Sequence, residues 1–251
     1  MTHKHFALAL LSALATPLLI TPALAADEED KKPRNWEASA ELGLNFTSGN
    51  TDTSTMKTRV DVKHHLTKWD NNYIIDALKK DDDGQESANK WFISAKGNYK
   101  LDKENTFLFI EGSREEDKIG VFDNYNSLAF GYGQRFYESK TVYIDADIGP
   151  GYVFFKNNGE NQENENSSMV RASAYLGWTI SDSATFSQKV MVNRELSDEK
   201  NTKTRLESAV TTKINGSLQM KLGFTLVNNS KVPDDRKKTD TETSVTIVYS
   251  F

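Results

Sequence analysis

The chain has no cysteine in 251 residues. That excludes a disulfide framework, a thiolate zinc site and a cysteine nucleophile together. Histidine is nearly as scarce, with four in all. His3 and His5 fall at the extreme N-terminus, while His64 and His65 are adjacent. On a strand that adjacency sends them to opposite faces, so they cannot share a metal ion. Long apolar runs are also missing. Beyond residue 26 no stretch approaches the roughly 18 residues that a spanning helix requires. An apolar share of 37%, a formal net charge of -5 and a low mean hydropathy together describe a soluble acidic domain. The order of the residues overturns that description.

Residues 1–25 have the form of an export leader, with Lys4 in a short polar start and an apolar run from Phe6 to Ile20. The small residues of Ala23-Leu24-Ala25 suit a cleavage site, with Ala26 as the expected mature N-terminus. Residues 26–35 are charged and aperiodic, a flexible lead-in to a folded body over 36–251. The leader carries one lysine and no acid, so its removal takes the net charge to -6.

Within the body the dominant signal has period two. Trp36, Ala38, Ala40, Leu42, Leu44 and Phe46 alternate with Glu37, Ser39, Glu41, Gly43 and Asn45. Such alternation marks a strand with one apolar face. It recurs over 56–66, 73–77, 91–101, 106–112, 126–136, 142–154, 170–180, 184–192, 202–214, 218–226 and 239–251, predicting twelve strands. Of the five prolines only Pro150 falls inside a predicted strand, where its missing N–H weakens the ladder. In 106–112 both faces are apolar. In the other eleven strands every charge lies on the face opposite the apolar one. A lipid-facing wall explains this, because Lys or Arg at a bilayer midplane costs about 2–4 kcal/mol.

A soluble lipocalin-like barrel would alternate equally well with its apolar face inward. Three features favour the membrane. Short turns near 68–71, 102–104, 138–140, 181–183 and 215–217 alternate with longer polar segments at 78–90, 113–125, 155–169, 193–201 and 227–238. Short turns on one side and long loops on the other are the pattern of outer-membrane barrels, and an even strand count returns both ends to the short-turn side. The last strand carries Val245, Ile247, Tyr249 and a terminal Phe251 on one face. That ending resembles the insertion signal of bacterial outer-membrane barrels. Trp36, Trp69, Phe136 and Trp178 near short-turn ends, with Trp91 and Phe154 near long-loop ends, supply two aromatic belts. The expected fold is therefore all-β, a twelve-stranded antiparallel up-and-down transmembrane barrel. Parity also predicts a three-residue loop, Asn215-Gly216-Ser217, with Gly216 at positive φ.

Particular segments resemble a known family. These are Gly43-Leu44-Asn45-Phe46-Thr47-Ser48-Gly49-Asn50-Thr51-Asp52-Thr53, Gly131-Tyr132-Gly133-Gln134-Arg135-Phe136, Asp147-Ile148-Gly149-Pro150-Gly151-Tyr152 and Val248-Tyr249-Ser250-Phe251. Together they are similar to the first hairpin, central hairpin and ending of the salt-induced outer-membrane protein family, a group defined mainly as a domain of unknown function. The resemblance covers about residues 36–251. It implies an outer-membrane barrel of Gram-negative bacteria expressed under salt stress, with no established activity and no catalytic residues to carry over.

Chemical motifs are sparse. A lipase-type set on the outer wall would need His64 as base, and no serine on a neighbouring outer face stands out, so the chain is read as a non-enzyme. Asp145 and Asp147 share a face and are expected to neutralise Arg135 and Arg171 rather than act as an acid–base pair. Asp81-Asp82-Asp83-Gly84 brushes against a calcium-loop pattern, but Phe92 stands where the bidentate Glu belongs. Gly131, Gly133, Gly149 and Gly151 precede no helix and cradle no phosphate; in a barrel interior they would let a ring, Tyr143 or Tyr175, lie against the backbone. No metal or cofactor is called for, and the net charge disfavours nucleic acid.

What remains is charge topology. The 21 charges on the polar faces comprise twelve basic and nine acidic residues, a lumen basic by three, with -9 left outside it. The candidate selectivity residues are Lys57, Arg59, Arg135, Asp145, Asp147, Arg171, Lys203, Arg205 and Glu207. The leading expectation is a narrow channel for small solutes, with an anion preference set by Lys57, Arg59, Arg171, Lys203 and Arg205. The alternative is a non-conducting structural barrel that supports envelope integrity, and an outer-membrane hydrolase stands a remote third. Expected partners are outer-membrane lipids, lipopolysaccharide, periplasmic chaperones and, through the C-terminal strand, the barrel-assembly machinery.

Overall fold

The structure, a computed structural model, describes residues 35–47, 52–101, 105–157, 164–197, 201–232 and 236–251. The leader, all but the last residue of the lead-in, and the Ser48–Thr51 part of the resemblance lie outside the described residues. Twelve strands follow in order. They are β1 Trp36–Thr47, β2 Thr53–His65, β3 Trp69–Asp82, β4 Gln85–Lys100, β5 Thr106–Asp117 and β6 Phe122–Glu138, then β7 Val142–Asn157, β8 Asn164–Ser181, β9 Ala184–Glu195, β10 Thr202–Lys213, β11 Leu218–Asn229 and β12 Thr239–Ser250. Each is antiparallel to its chain neighbour, and β1 pairs with β12 to close the barrel. Among the described residues no helix occurs.

The apolar parity faces outward. Leu44 on β1, Ile75 on β3, Phe130 on β6, Leu222 on β11 and Val245 on β12 are all at least half exposed. Their alternates are buried, among them Glu41, Asp76, Glu111, Arg171 and Lys203. A barrel with its oily residues outside and its charges inside inverts the usual soluble arrangement and suits a lipid surround. The aromatics placed at the two belts, Trp36, Trp69, Phe136 and Trp178 at one end and Phe154 at the other, are exposed as well.

The strands are longer than alternation implied. They run 12 to 18 residues, beyond the roughly 9–11 that span a bilayer. Most of the segments expected as long polar loops are strand. The stretch 78–90 is the tall β3–β4 hairpin, turning on Asp83-Gly84 with both residues at positive φ, 50° and 76°. Two such residues are the mark of a type I′ turn. Likewise β5 and β6 leave only 118–121 between them. The physical reason is plain: above the hydrocarbon both faces of a strand are wet, so the hydrophobic period disappears while the ladder continues. Asp83 Oδ1 accepts the Asp52 amide at 2.8 Å in this turn, and Asp82 takes Lys80 at 2.9 Å, so the acidic run is a turn and not a calcium loop.

The β10–β11 turn keeps the expected count, because Lys213↔Gln219 and the Ile214 amide bonded to Leu218 at 2.9 Å leave three residues between. Gly216 is not in the left-handed region; among the described residues the glycine with positive φ is Gly84. Side-chain capping replaces that device, with the Leu218 amide donating to Asn215 Oδ1 at 3.3 Å. Pro150 does weaken its ladder: the β6–β7 register skips from Ala129↔Gly151 to Tyr132↔Ile148. There the backbones press together, since a Cβ on Gly131 would lie 2.7 Å from Gly149 Cα.

Candidate functional site: a lumen crossed by ion pairs

The interior holds an apolar cluster and a set of ion pairs that meet on β5 to β8. The inward faces of β5 to β8 hold Phe109, Tyr125, Ala129, Val153, Phe155 and Met169, joined by Val121 and Phe122 in a buried apolar cluster. Glycines make this filling possible. A Cβ on Gly133 would overlap the Phe107 ring, one on Gly177 would overlap Tyr143, and one on Gly151 would sit 2.7 Å from Met169 Cε. Tyr143 therefore lies on a glycine as expected, but on Gly177; the phenylalanines of β5 take the place proposed for it at Gly131 and Gly133. This also explains why β5 is apolar on both faces: its inner rings pack into backbone, its outer Leu108 and Ile110 meet lipid.

The remaining inward positions, on β5 to β8 as on the other strands, are largely charged, and the charges are paired. Lys57 pairs with Glu242 of β12. Arg59 lies 3.3 Å from Asp76 and 4.0 Å from both Glu41 and Glu207. Lys203 meets Glu115 at 2.9 Å; Arg205 meets Glu207 at 2.6 Å and Glu115 at 3.8 Å. Arg171, 1% exposed, pairs with both Asp147 and Glu111, and Asp147 also takes Lys96 at 2.6 Å and the Ser173 hydroxyl at 2.8 Å. Arg135 grips Asp145 through two nitrogens, at 2.7 and 3.1 Å. The expected neutralisation of Arg135 and Arg171 by Asp145 and Asp147 is thus present.

All five cations on which anion preference was placed have carboxylate partners, and Glu111, Glu115 and Glu195 face inward beyond the acids counted from alternation. Alternation hides Glu111 because β5 shows two apolar faces, and Glu115 because it lies in a stretch whose period reads as loop. The odd-numbered series Phe107, Phe109, Glu111, Ser113, Glu115 was the available cue.

Cation–π contacts tie the charges to interior rings. Lys203 Nζ lies 4.2 Å from the Tyr125 ring, and the guanidinium groups of Arg171 and Arg205 lie 5.0 and 5.2 Å from Phe109 and Phe92. Toward the long-loop end a cavity of about 780 Å³ opens, lined by Lys57, Lys90, Phe92, Glu115, Phe122, Lys203, Asp240 and Glu242 among others. One layer lower, Arg59, Ile74, Phe92, Met191, Arg205 and Glu207 enclose a separate cavity of about 10 Å³. That is the room of about one water. The geometry is a vestibule above an ion-paired floor. At that upper level, outside the apolar band, the Glu115 carboxyl is raised by burial, but Lys203 and Arg205 outweigh this and hold it below the usual carboxylate range.

The two histidines do face apart. His65 turns inward to Asp70 at 2.9 Å, and His64 stacks on Trp36 on the outer wall, centroids 3.6 Å apart. Among the described residues no group of three His, Cys, Asp or Glu is placed to hold a metal ion.

A closed antiparallel barrel with a lipid-type exterior and a charged interior defines the class of outer-membrane β-barrel folds. The chain is similar in fold to an outer membrane channel from Pseudomonas putida F1, with a TM-score of 0.52 at 8% identity over 89% of this chain and 100% of that one. The NanC porin gives a TM-score of 0.50 at 12% identity, covering 86% of this chain and 98% of the porin. The family described as "Protein of unknown function, DUF481" matches residues 40–251, and the chain belongs to it. An uncharacterized protein of Escherichia coli (strain K12), YdiY, is 26% identical over 224 residues, 88% of this chain and 84% of the relative.

Proposed function

We propose that the protein is a small barrel of the Gram-negative outer membrane, exported by its leader, that stands closed to ions at rest and offers a vestibule at its long-loop mouth. The observation that carries this reading is the floor beneath the vestibule. Arg59 of β2 meets Glu207 of β10 at 4.0 Å, Glu207 is also held by Arg205 at 2.6 Å, and a cavity of only about 10 Å³ lies among these side chains. A hydrated ion needs far more room than a single water site. Ion pairs that join opposite walls also cross-link the barrel, which supports the structural role over the open channel.

The outward apolar residues and aromatic belts support residence among outer-membrane lipids, with lipopolysaccharide around the long-loop end. Val245, Ile247 and Tyr249 on the outward face of β12 and Phe251 just beyond its end are all exposed, a form suited to recognition by the barrel-assembly machinery after passage by periplasmic chaperones. A second reading, a gated channel for small charged solutes, is favoured by the vestibule itself, whose volume falls within the roughly 300–1,000 Å³ of small-molecule sites.

Refolded protein in planar bilayers separates the two. The closed barrel gives no conductance steps at rest; steps in the wild type, whatever their selectivity, would transfer the case to the channel. Insertion is checked independently, since a folded barrel left unboiled migrates differently from the boiled sample on a denaturing gel.

A further inference from the structure

Every neighbouring pair of strands except the closing one is laddered along most of its length. Eleven neighbouring pairs carry at least eleven registered residue pairs each. Between β1 and β12 the register holds four, from Ser39↔Ser250 to Leu42↔Ile247. Below them Ala38 and Phe251 exchange backbone hydrogen bonds. Above them β1 continues to Thr47 bonded to β2 alone, and β12 above Ile247 is bonded to β11 alone. The strands are still close at Gly43, whose Cβ would lie 2.9 Å from Thr246 Cγ2. Beyond that point they part.

The vestibule runs out through this gap. Leu44 belongs to the outward face of β1, and Thr241, Thr243 and Val245 to the outward face of β12. All four nevertheless line the same cavity as Lys57 and Glu242 inside the wall. Unpaired backbone groups facing lipid cost several kcal/mol each, which is why spanning barrels close. The free edges of β1 and β12 therefore need polar partners, and the lips differ in character: threonine hydroxyls on β12, Leu44 and Phe46 on β1. Just behind, Glu242 is shared by Lys57 and by Lys90 at 3.3 Å, with Asp240 on the same inward face.

We propose that the upper seam is a lateral portal, and that the vestibule receives the zwitterionic head group of a single-chain amphiphile from the surrounding leaflet. The lysines face the anionic part of the head, and Glu242 and Asp240 the cationic part. The tail leaves between Leu44, Phe46 and Val245. Lys57 and Lys90 already share Glu242, so a head that carries both signs exchanges into these pairs without stranding a charge, whereas a head of one sign must displace a partner. This rests on the reading that the barrel spans a membrane.

The absence of cysteine makes the test clean. The probe is nitroxide-labelled lysophosphatidylcholine, added to protein reconstituted in phosphatidylcholine bilayers, and the readout is the motionally restricted spin signal. The portal gives a restricted signal displaced by unlabelled lysophosphatidylcholine. Bridging Leu44→Cys and Val245→Cys with a bis-maleimide lowers the affinity about ten-fold. A disulfide between Leu42→Cys and Ile247→Cys, where the seam is already paired, leaves it unchanged. A signal equal in the bridged and unbridged protein is boundary lipid and overturns the portal. So does a spontaneous 44–245 disulfide, which means a closed seam, and so does cross-linking between two chains, which means that the edge serves a second copy. Glu242→Gln provides a readout free of cross-linking, because it shifts preference toward the anionic lysophosphatidylglycerol; no shift counts against the head-group assignment. Loss of the gel shift on leaving the sample unboiled identifies failure of the membrane reading itself, which would remove the portal with it.

Discussion

Lys203 of β10 donates to Glu115 of β5 at 2.9 Å, a bond between strands five places apart in the sheet order. No β-ladder imposes such a contact. It exists because a barrel of twelve strands is still narrow enough for long side chains from facing walls to meet, between the filled eight-strand and the open sixteen-strand cases. The vestibule is bounded on one side by this pair, but the floor below it is made by Arg59, Arg205 and Glu207. Ion flow therefore responds to the floor. R59A/R205A/E207A converts a silent barrel into one with stepwise conductance, whereas K203A/E115A widens the vestibule and leaves the barrel silent. Single-channel recording of both variants checks this, and conductance from the upper pair alone would misplace the constriction.

Arg171 carries the opposite kind of dependence, on stability. It is buried and pairs with Glu111 and Asp147, while its Nε lacks a partner. Removing one member of a buried ionic cluster strands the remaining charges and costs about 3–5 kcal/mol. R171A is expected to lose that amount in chemical unfolding from vesicles. R171M/E111L removes charge from both sides, and is expected to recover at least half of the loss. Equal destabilisation by the two variants would show that packing against Phe109, not charge, holds the residue in place.

How far all this could be read in the residues depends on where lipid touches them. Alternation located every strand because one face meets hydrocarbon, and it lost 78–90 and 113–117 because both faces there are wet. Asp83-Gly84 was the surviving cue for the first of these. On β5, Phe107 and Phe109 hid an inward face by being apolar, and their partners Gly133 and Gly131 lie a strand away. Partner choice inside the lumen was legible only between adjacent strands, as for Arg135 with Asp145. Contacts such as Lys203 with Glu115 or Arg59 with Glu207 follow from closure and shear, which no local pattern records.

Gly133 tests the apolar packing. Its backbone receives the Phe107 ring, and Phe107 is also near Lys96, 5.9 Å from the centroid. Any side chain at 133 must push the ring into the lumen. Overpacking of this type costs about 1–3 kcal/mol. G133A is expected to fall in that range, and F107L, which frees the space, to relieve most of it in the double variant. Additive losses in the double-mutant cycle would show that the two residues do not meet.

The lipid face is tested by a pair of arginine substitutions three residues apart on β11, and so on opposite faces. Leu222 is 51% exposed on the outer face of β11. Thr225, opposite Glu242 in the register, faces inward. L222R is expected to cost about 2–4 kcal/mol in bilayers, while T225R gains a carboxylate neighbour and costs well under half of that. Similar costs at the two positions would contradict the outward assignment of the apolar parity.

Glu195 gives the pH dependence. It ends β9 at the long-loop rim, beyond the apolar band, 3% exposed and with Oε1 unpartnered. Burial raises its carboxyl above the ordinary 4.5. The folded protein therefore holds a proton that the unfolded chain has released, so between 4.5 and the raised value stability falls as pH rises. Below that window both states are protonated and nothing is lost; above it the buried charge persists in full. E195Q keeps the shape and removes the charge. It is expected to be more stable than the parent at pH 7 by about 1 kcal/mol, the lower end of the cost of an unsatisfied buried polar group, and to match it near pH 4. Unfolding midpoints of the two proteins across pH 4 to 7 decide the matter. Parallel curves would mean that Glu195 is charged and solvated throughout, and that the rim is open to water.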